Sequence, residues 1–546
     1  MNHTRDRDQE AGPVEDFLRQ APDASYRQIY DALHSGIDRA AMHQLIARVS
    51  SWDAVAEWAR EQTQLEILPV WGAHLAQVAD RLAELGLDPR TVAAAACDTF
   101  EMNARIAEHL GADKIASLQR AAERKHTGGS ATWGFFETLR RVQGGFSRLA
   151  AGLGYASTIC PFTGTILQSR HAIPIAIDVT KQVCIFYFFR SVINFYVIVS
   201  SWSGGKEYIY IPSKNLLLRL HEPWFAWGEP NHMITEFMHL AVRRSARIAD
   251  YYASATEPAL LGNTMDNLGH FFWNDAAGFD AFAREGFLTE RKRLICYRHN
   301  PIKISDLFDD IISPTDATFA SDADDLLNKT IGNDLFVVRP CYYKIEPQLA
   351  ERVKTYAQAR VSGDQIQAAK AARTHGYVLW VNFRAHNKAL VNLTDVIIKV
   401  ADKLVDRYGS LAIFADGFSD CAPVLDALVA RLPRQVALYP GLDLTISDSI
   451  HWASVVDSYI ATIGSGLTIV TWIAGRPGIA HSEPAHLGQM EFWHQVRPDV
   501  PPPLTPAMTD IHAQGDAMYA NYEIVPEVFL GLIEQLRQSP HHRQDT

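Results

Sequence analysis

Two short segments carry residue types and spacings that suit the capture of a phosphate-bearing ligand. The first is Gly464-Ser465-Gly466, set between the apolar run DSYIATI (Asp457 to Ile463) and the apolar run LTIVTWIAG (Leu467 to Gly475). The first run reads as a buried strand and the second as a buried helix, so the small residues fall where a strand hands over to a helix. There bare backbone approaches closely, the first N–H groups lack intrahelical acceptors, and the dipole favours an anionic oxygen. Ser465 adds a hydroxyl. RPGIAH (Arg476 to His481) then returns as a strand, which makes the piece a βαβ unit. The same three residues also serve tight packing of a helix on a sheet, so the pattern needs a partner before it specifies a ligand.

The partner is VLWVNFRAHNKALVNLTDVIIKVADKL (Val378 to Leu404), which begins as a strand and ends as an amphipathic helix with Val396, Ile397, Val400 and Leu404 at helical spacing. Between them lie Arg384, His386, Asn387 and Lys388, at the carboxyl end of the strand, where open α/β sheets place their ligands. Arg384 can grip two phosphate oxygens in a fork, and Lys388 acts as a point charge.

Together the two segments resemble glycosyltransferases of the GT-B type, in particular the family that includes plant arabinoxylan xylosyltransferases and the extracellular O-linked N-acetylglucosamine transferase. Gly464, Gly466, Leu467 and Thr468 are similar to that family's HGAGLTN-like turn, with Ser465 in place of the alanine, Ile463 in place of the histidine and Ile469 in place of the asparagine. Arg384, Lys388 and Asn392 look like its arginine-containing loop, with Lys388 where a second arginine is usual. The likeness spans about Asp266 to Pro502. It implies a nucleotide-sugar donor held by Arg384, Asn387, Lys388, Asn392, Gly464, Ser465, Gly466, Leu467 and Thr468, with Glu483 at a later strand end as a ribose or sugar acceptor group. It also implies transfer to a glycan, lipid-linked or protein acceptor with no metal or other cofactor. Fixed cations at the departing diphosphate favour such a transition state over the ground state.

A base for the acceptor hydroxyl is sought in LLGNTMDNLGHFFWNDAAGFDAF (Leu260 to Phe282). Asp266 and His270 are the candidates and Asp275 a third, because a carboxylate or imidazole there would end a strand of the acceptor half. Asp266 could equally cap a helix, and His270 beside Phe271, Phe272 and Trp273 could be a core histidine. Asp322-Ala323-Asp324 reads as a helix cap with first-turn acids, not as a metal ligand pair. Asp416, Ser419, Tyr439, Asp443, His481 and Ser482 end or follow other strands, and His451-Trp452 reads as a packed pair.

At 546 residues and 47% apolar composition the chain has material for about three domains. A net charge of −11 argues against nucleic acid as partner. The six cysteines, Cys97, Cys160, Cys184, Cys296, Cys341 and Cys421, show no metal-binding spacing and suit a reducing cytoplasm. The start lacks the apolar core of a signal peptide. The apolar stretch Cys184 to Trp202 is interrupted by Arg190 and Asn194 and reads as two strands joined tightly, although peripheral association with a membrane-bound acceptor stays compatible with the sequence.

The expected organisation is α/β: a disordered lead (1–13), an all-helical domain (14–150), a small antiparallel β module (151–235), an N-terminal Rossmann-like half on the acceptor side (236–373), a C-terminal Rossmann-like half on the donor side (374–510), and a final helix and tail (511–546). Two other functions fit the same frame: a sugar-nucleotide epimerase or hydrolase, and a non-catalytic carbohydrate-binding or assembly protein with a degenerate nucleotide site.

Overall fold

The computed structural model describes residues 25–62, 65–109, 145–177, 182–200, 204–221, 230–288, 292–515 and 518–538. The expected lead, 1–13, and the stretch 110–144 of the expected all-helical domain lie outside the described residues.

Two parallel sheets form the second half of the chain. The first comprises β1 (Glu257–Gly262), β2 (Arg293–Cys296), β3 (Ala317–Phe319) and β4 (Leu335–Val338), ordered β3-β2-β1-β4. The second comprises β5 (Tyr377–Asn382), β6 (Leu411–Gly417), β7 (Val436–Leu442), β8 (Ser458–Thr462) and β9 (Gly478–His481), ordered β7-β6-β5-β8-β9. Each therefore starts at a central strand, grows outward one way, and then jumps back to grow the other way. That reversal opens a crevice beyond the strand ends, between β1 and β4 in one sheet and between β5 and β8 in the other. β5 is buried at all six positions, YVLWVN, as expected of a parallel strand covered on both faces. The helix Leu393–Tyr408 after it buries Leu393, Val396, Ile397, Val400, Ala401 and Leu404, the spacing that the sequence shows.

A six-stranded sheet precedes these halves, with five antiparallel strands from Ala172–Ile177 to Leu216–Arg219 and a sixth, Glu66–Pro69, lying parallel on the edge beside Leu216–Arg219. The all-helical reading of 14–150 is corrected at this point: Glu66–Pro69 is a strand, and the pairing that makes it one lies 150 residues further along the chain. The hairpin reading of the apolar stretch holds, with Gln182–Phe189 pairing antiparallel to Phe195–Val199. Among the described residues no helix is long and apolar enough to cross a membrane.

This sheet does not fold as a detached module. One face, including Phe186, Tyr196 and Tyr210, packs under the helices Tyr26–Ser35 and Pro230–Arg243. The other, including Val183, Ile185, Tyr187 and Val197, joins the core that runs through both parallel sheets. Tyr251 ties sheet to sheet, its hydroxyl accepting from Ala172 N at 2.9 Å and donating to Leu335 O at 2.8 Å.

The final helix, Pro526–Gln538, packs back onto the C-terminal half: Phe529 lies against His481, and Lys399 and Lys403 pair with Glu527 and Glu534. A short antiparallel pair, Ile511–Ala513 with Tyr522–Ile524, brings Tyr522 beneath the same histidine.

Candidate functional site

The β5–β8 crevice collects the cationic residues. Arg384 and Lys388 follow β5, and Gly464 follows β8. A Cβ placed on Gly464 would lie 3.1 Å from Arg384 Nη1 and 3.2 Å from Lys388 Nζ. The two cations thus converge over one glycine, whose φ of 154° and ψ of −163° belong to a region that only glycine occupies freely. Asn387 and Lys388 have positive φ, 52° and 67°, and this double left-handed step turns the lysine back toward the strand ends. Lys388 is 5% exposed and its ammonium donates to Ile463 O at 2.7 Å. Burial first, and then the neighbouring Arg384, lower it to about 8, while Glu483 pulls the other way. Arg384 is half-buried, and its guanidinium makes no hydrogen bond or ion pair among the described residues. Burial draws it below its ordinary value.

Beneath Gly466 lies a pair that local sequence reading does not single out. Asn382 Nδ2 donates to Asp416 Oδ2 at 2.7 Å, joining the ends of β5 and β6, and a Cβ on Gly466 would meet that same Nδ2 at 2.8 Å. Burial pushes the Asp416 carboxyl up to about 7, against the hydrogen bond from Asn382. Asp416 is visible in sequence as a strand-end acid. Asn382 hides inside an apolar strand, and its only signal is being polar there.

The remaining expected donor residues divide. Ser465 and Gly466 open a short helical turn, Ser465–Thr468, that continues as a π-helical turn, Ile469–Ile473. The expected Leu467–Gly475 helix therefore starts two residues earlier and ends at Ile473. Leu467 and Thr468 are buried, and the Thr468 methyl lies 3.2 Å from a Cβ built on Gly269, so Thr468 packs against the N-terminal half. Asn387 is exposed at the loop tip. Asn392 is held by the chain itself, Nδ2 donating to Ile524 O at 2.9 Å. Glu483 is buried and accepts from Ser482 Oγ at 2.7 Å and Tyr519 N at 3.0 Å, with His486 Nδ1 on its other side. Burial would raise its carboxyl, but these hydrogen bonds outweigh it and the net shift is downward. Lys388 Nζ and the Tyr519 ring are 5.6 Å apart, so Tyr519 links the Glu483 cluster to the cations.

The N-terminal crevice is built differently. Asp275 accepts from Thr264 N at 2.8 Å, Thr264 Oγ1 at 2.9 Å, Met265 N at 3.2 Å and Arg339 Nη2 at 2.6 Å. Side chains of Asp275 and Arg339 are 0% and 1% exposed. Asp275 is thus corrected from candidate base to structural anchor, since its oxygens are fully engaged and out of reach of an acceptor.

His270 is half-buried, donates from Nδ1 to Asn274 Oδ1 at 3.0 Å and stacks on Trp273. Burial, opposed by that hydrogen bond, lowers it to about 4. Asp266 is exposed, 4.0 Å from Arg298 Nη1. Asn267 caps the turn Leu268–His270, its side chain accepting from Gly269 N at 2.8 Å, and so aims Gly269 at Ser465 and Thr468. Trp273 and Trp472, one from each half, stand 6.3 Å apart, and Trp472 stacks on Trp493 at 4.3 Å. The segments that follow β1 and β8 therefore meet at this contact.

Asp322 is a helix cap, accepting from Asp325 N at 2.8 Å. Trp452 is packed on Phe414 and His451 bonds Gln358, the ordinary pair that the sequence suggests. None of the six cysteines forms a disulfide.

No family model matches the chain, and no curated protein matches it in sequence. Among solved structures it is similar to a family 9 glycosyl transferase of Veillonella parvula, at 10% identity over 41% of this chain and 80% of that one, TM-score 0.28. It is also similar to the ADP-heptose lipopolysaccharide heptosyltransferase II of E. coli, at 10% identity over 52% of this chain and 98% of that one, TM-score 0.31. A third is the iron-containing dodecameric glycosyltransferase TibC of enterotoxigenic E. coli, at 14% identity over 42% of this chain and 62% of that one, TM-score 0.22. At TM-scores this low, none of these likenesses carries weight for fold or activity.

Proposed function

We propose that the chain is a glycosyltransferase of the GT-B type that moves a sugar from a nucleotide-sugar donor to a glycan, lipid-linked or protein acceptor. One observation carries the reading: Arg384 and Lys388 converge over Gly464 at the crevice between β5 and β8, and neither finds an acidic partner there by hydrogen bond or ion pair among the described residues. Two cations held side by side at a half-buried site repel each other, and a diphosphate between them relieves that repulsion. As the bond to the sugar breaks, negative charge grows on the diphosphate, and the fixed cations stabilise it most at that moment.

Metal independence belongs to the same proposal, because the two cations supply the charge that a divalent ion would otherwise bring. Gly464, Ser465 and Gly466 give the diphosphate close access to backbone. Asp266 is the better-placed base of the two candidates, since its carboxylate is exposed while the His270 ring is turned onto Asn274 and Trp273. Six cysteines outside any disulfide support a reducing, cytoplasmic setting.

A thermal-shift panel of UDP, GDP, CDP, ADP and dTDP, with and without EDTA, tests this. A ligand that binds only the folded chain raises its melting temperature. A rise with one nucleotide that persists in EDTA is the expected result. A rise abolished by EDTA overturns metal independence, and no rise with any nucleotide overturns the nucleotide-sugar reading in favour of a carbohydrate-binding or assembly protein with a degenerate site.

A further inference from the structure

Phe418 is 73% exposed, the most exposed aromatic side chain among the described residues, and it lies one residue beyond the end of β6. Its backbone is fixed on every side. Phe383 N donates to Asp416 O at 2.7 Å, Asp443 N to Gly417 O at 3.0 Å, Ser419 N to Asp443 Oδ1 at 3.1 Å, and Cys421 N to Phe418 O at 2.9 Å. The register Asn382↔Asp416 between β5 and β6 continues past the strand ends, where a Cβ on Gly417 would be 3.3 Å from Phe383 Cβ. Arg384 and Phe418 are the next residues along these two neighbouring chains. Further out, His386 Nε2 and Asp420 Oδ2 join the same two loops at 3.1 Å. An apolar ring is thus presented to water on a rigid loop, next along the sheet from a guanidinium that has no hydrogen bond or ion pair among the described residues.

Keeping a phenylalanine exposed there serves no packing within the chain, whereas a flat π face next to a phosphate site suits a nucleobase, which stacks on aromatic rings whatever its identity. We propose that Phe418 is the stacking platform for the base of the nucleoside diphosphate whose phosphates Arg384 and Lys388 hold. This rests on the nucleotide reading of those two cations and adds to it the side of the crevice on which the nucleoside lies: over β6, away from β8. A rigid platform loses little freedom on binding, so the ring is pre-organised for the base.

The test compares dissociation constants of the best-bound nucleoside diphosphate and of inorganic pyrophosphate, which has phosphates but no base, for the wild type, Phe418→Ala, Phe418→Tyr and Arg384→Ala. Because Phe418 is exposed and its loop is held by backbone bonds, the alanine variant should fold. The expected result is about tenfold or more weaker nucleotide binding in Phe418→Ala, unchanged pyrophosphate binding, and recovery in Phe418→Tyr. Unchanged nucleotide binding in Phe418→Ala, or equal weakening of both ligands, overturns the stacking role while loss of both ligands in Arg384→Ala leaves the phosphate site standing. If Arg384→Ala binds both ligands normally, the nucleotide reading itself falls and the stacking role with it.

Discussion

The two parallel sheets share one strand order through their first four strands and treat the resulting crevice in opposite ways. Between β1 and β4 the strand ends are closed by a complete ion pair: Asp275 and Arg339 are buried, and Asp275 is saturated by Thr264, Met265 and the guanidinium. Between β5 and β8 no acid pairs with the cations among the described residues: Arg384 has no hydrogen bond or ion pair there, and the Lys388 ammonium donates to the Ile463 carbonyl. The same topology therefore yields a structural seal in one half and a binding position in the other. What decides is whether the acid and the base arrive together. Asp275 meets its arginine inside the crevice, while Glu483, whose charge acts on both Arg384 and Lys388, is occupied by Ser482, Tyr519 and His486.

The largest effect should come from breaking the seal. Asp275→Ala leaves Arg339 buried without its carboxylate, and losing one partner of a buried pair costs about 3–5 kcal/mol. Urea unfolding should show that loss directly; a change under about 1 kcal/mol would mean that the N-terminal crevice is not held by this pair. Next comes Arg384→Ala. A charge-assisted contact to phosphate is worth about 1.5–3 kcal/mol, so nucleotide affinity should fall roughly ten- to a hundredfold while the unfolding midpoint barely moves. The contrast between the two variants, one losing stability and the other affinity, is the comparison in measurable form.

Gly464→Ala should do some of both. The backbone there costs a non-glycine residue about 1–3 kcal/mol, and the new methyl would press on Arg384 and Lys388, which lie 3.1 and 3.2 Å from its position. Calorimetric titration of nucleotide should show weaker binding than wild type, with a smaller loss than Arg384→Ala.

The smallest effect is one of pH. Lys388, lowered to about 8 by burial and by Arg384, loses its charge as pH rises through that value, so phosphate affinity should fall between pH 7 and 9. Stability runs the other way. From about 8 up to the unfolded value of about 10.4 the unfolded chain binds more protons than the folded one, and the ligand-free protein gains stability with rising pH. Lys388→Gln should flatten both trends, as followed by titration and by melting at matched pH values.

Much of the open crevice is legible in the chain because its signals are local. Arg384 to Lys388 and Gly464 to Gly466 each sit inside a strand–turn–helix stretch whose hydrophobic spacing marks where the strand stops. What escapes is whatever depends on a partner far along the chain. Asp275 reads as a possible base until Arg339, sixty-four residues later, is placed against it. Asn382 acquires a role only from Asp416 on the neighbouring strand. Glu66–Pro69 lies within the stretch read as all-helical and becomes a strand because Leu216–Arg219 offers it an edge. Asn392, which resembles a donor-site residue by position, is taken up by Ile524 of a strand pair that the helical period of the C-terminal segment conceals.

The most direct measurement is a crystal structure with the tightest-binding nucleoside diphosphate. It should place the diphosphate over Gly464, with phosphate oxygens at hydrogen-bond distance from the Arg384 guanidinium and the Lys388 ammonium and with the β1–β4 crevice still sealed by Asp275 and Arg339. A diphosphate bound in the N-terminal half, or one bound in the C-terminal half without touching Arg384 or Lys388, would contradict the assignment of the open crevice as the donor site.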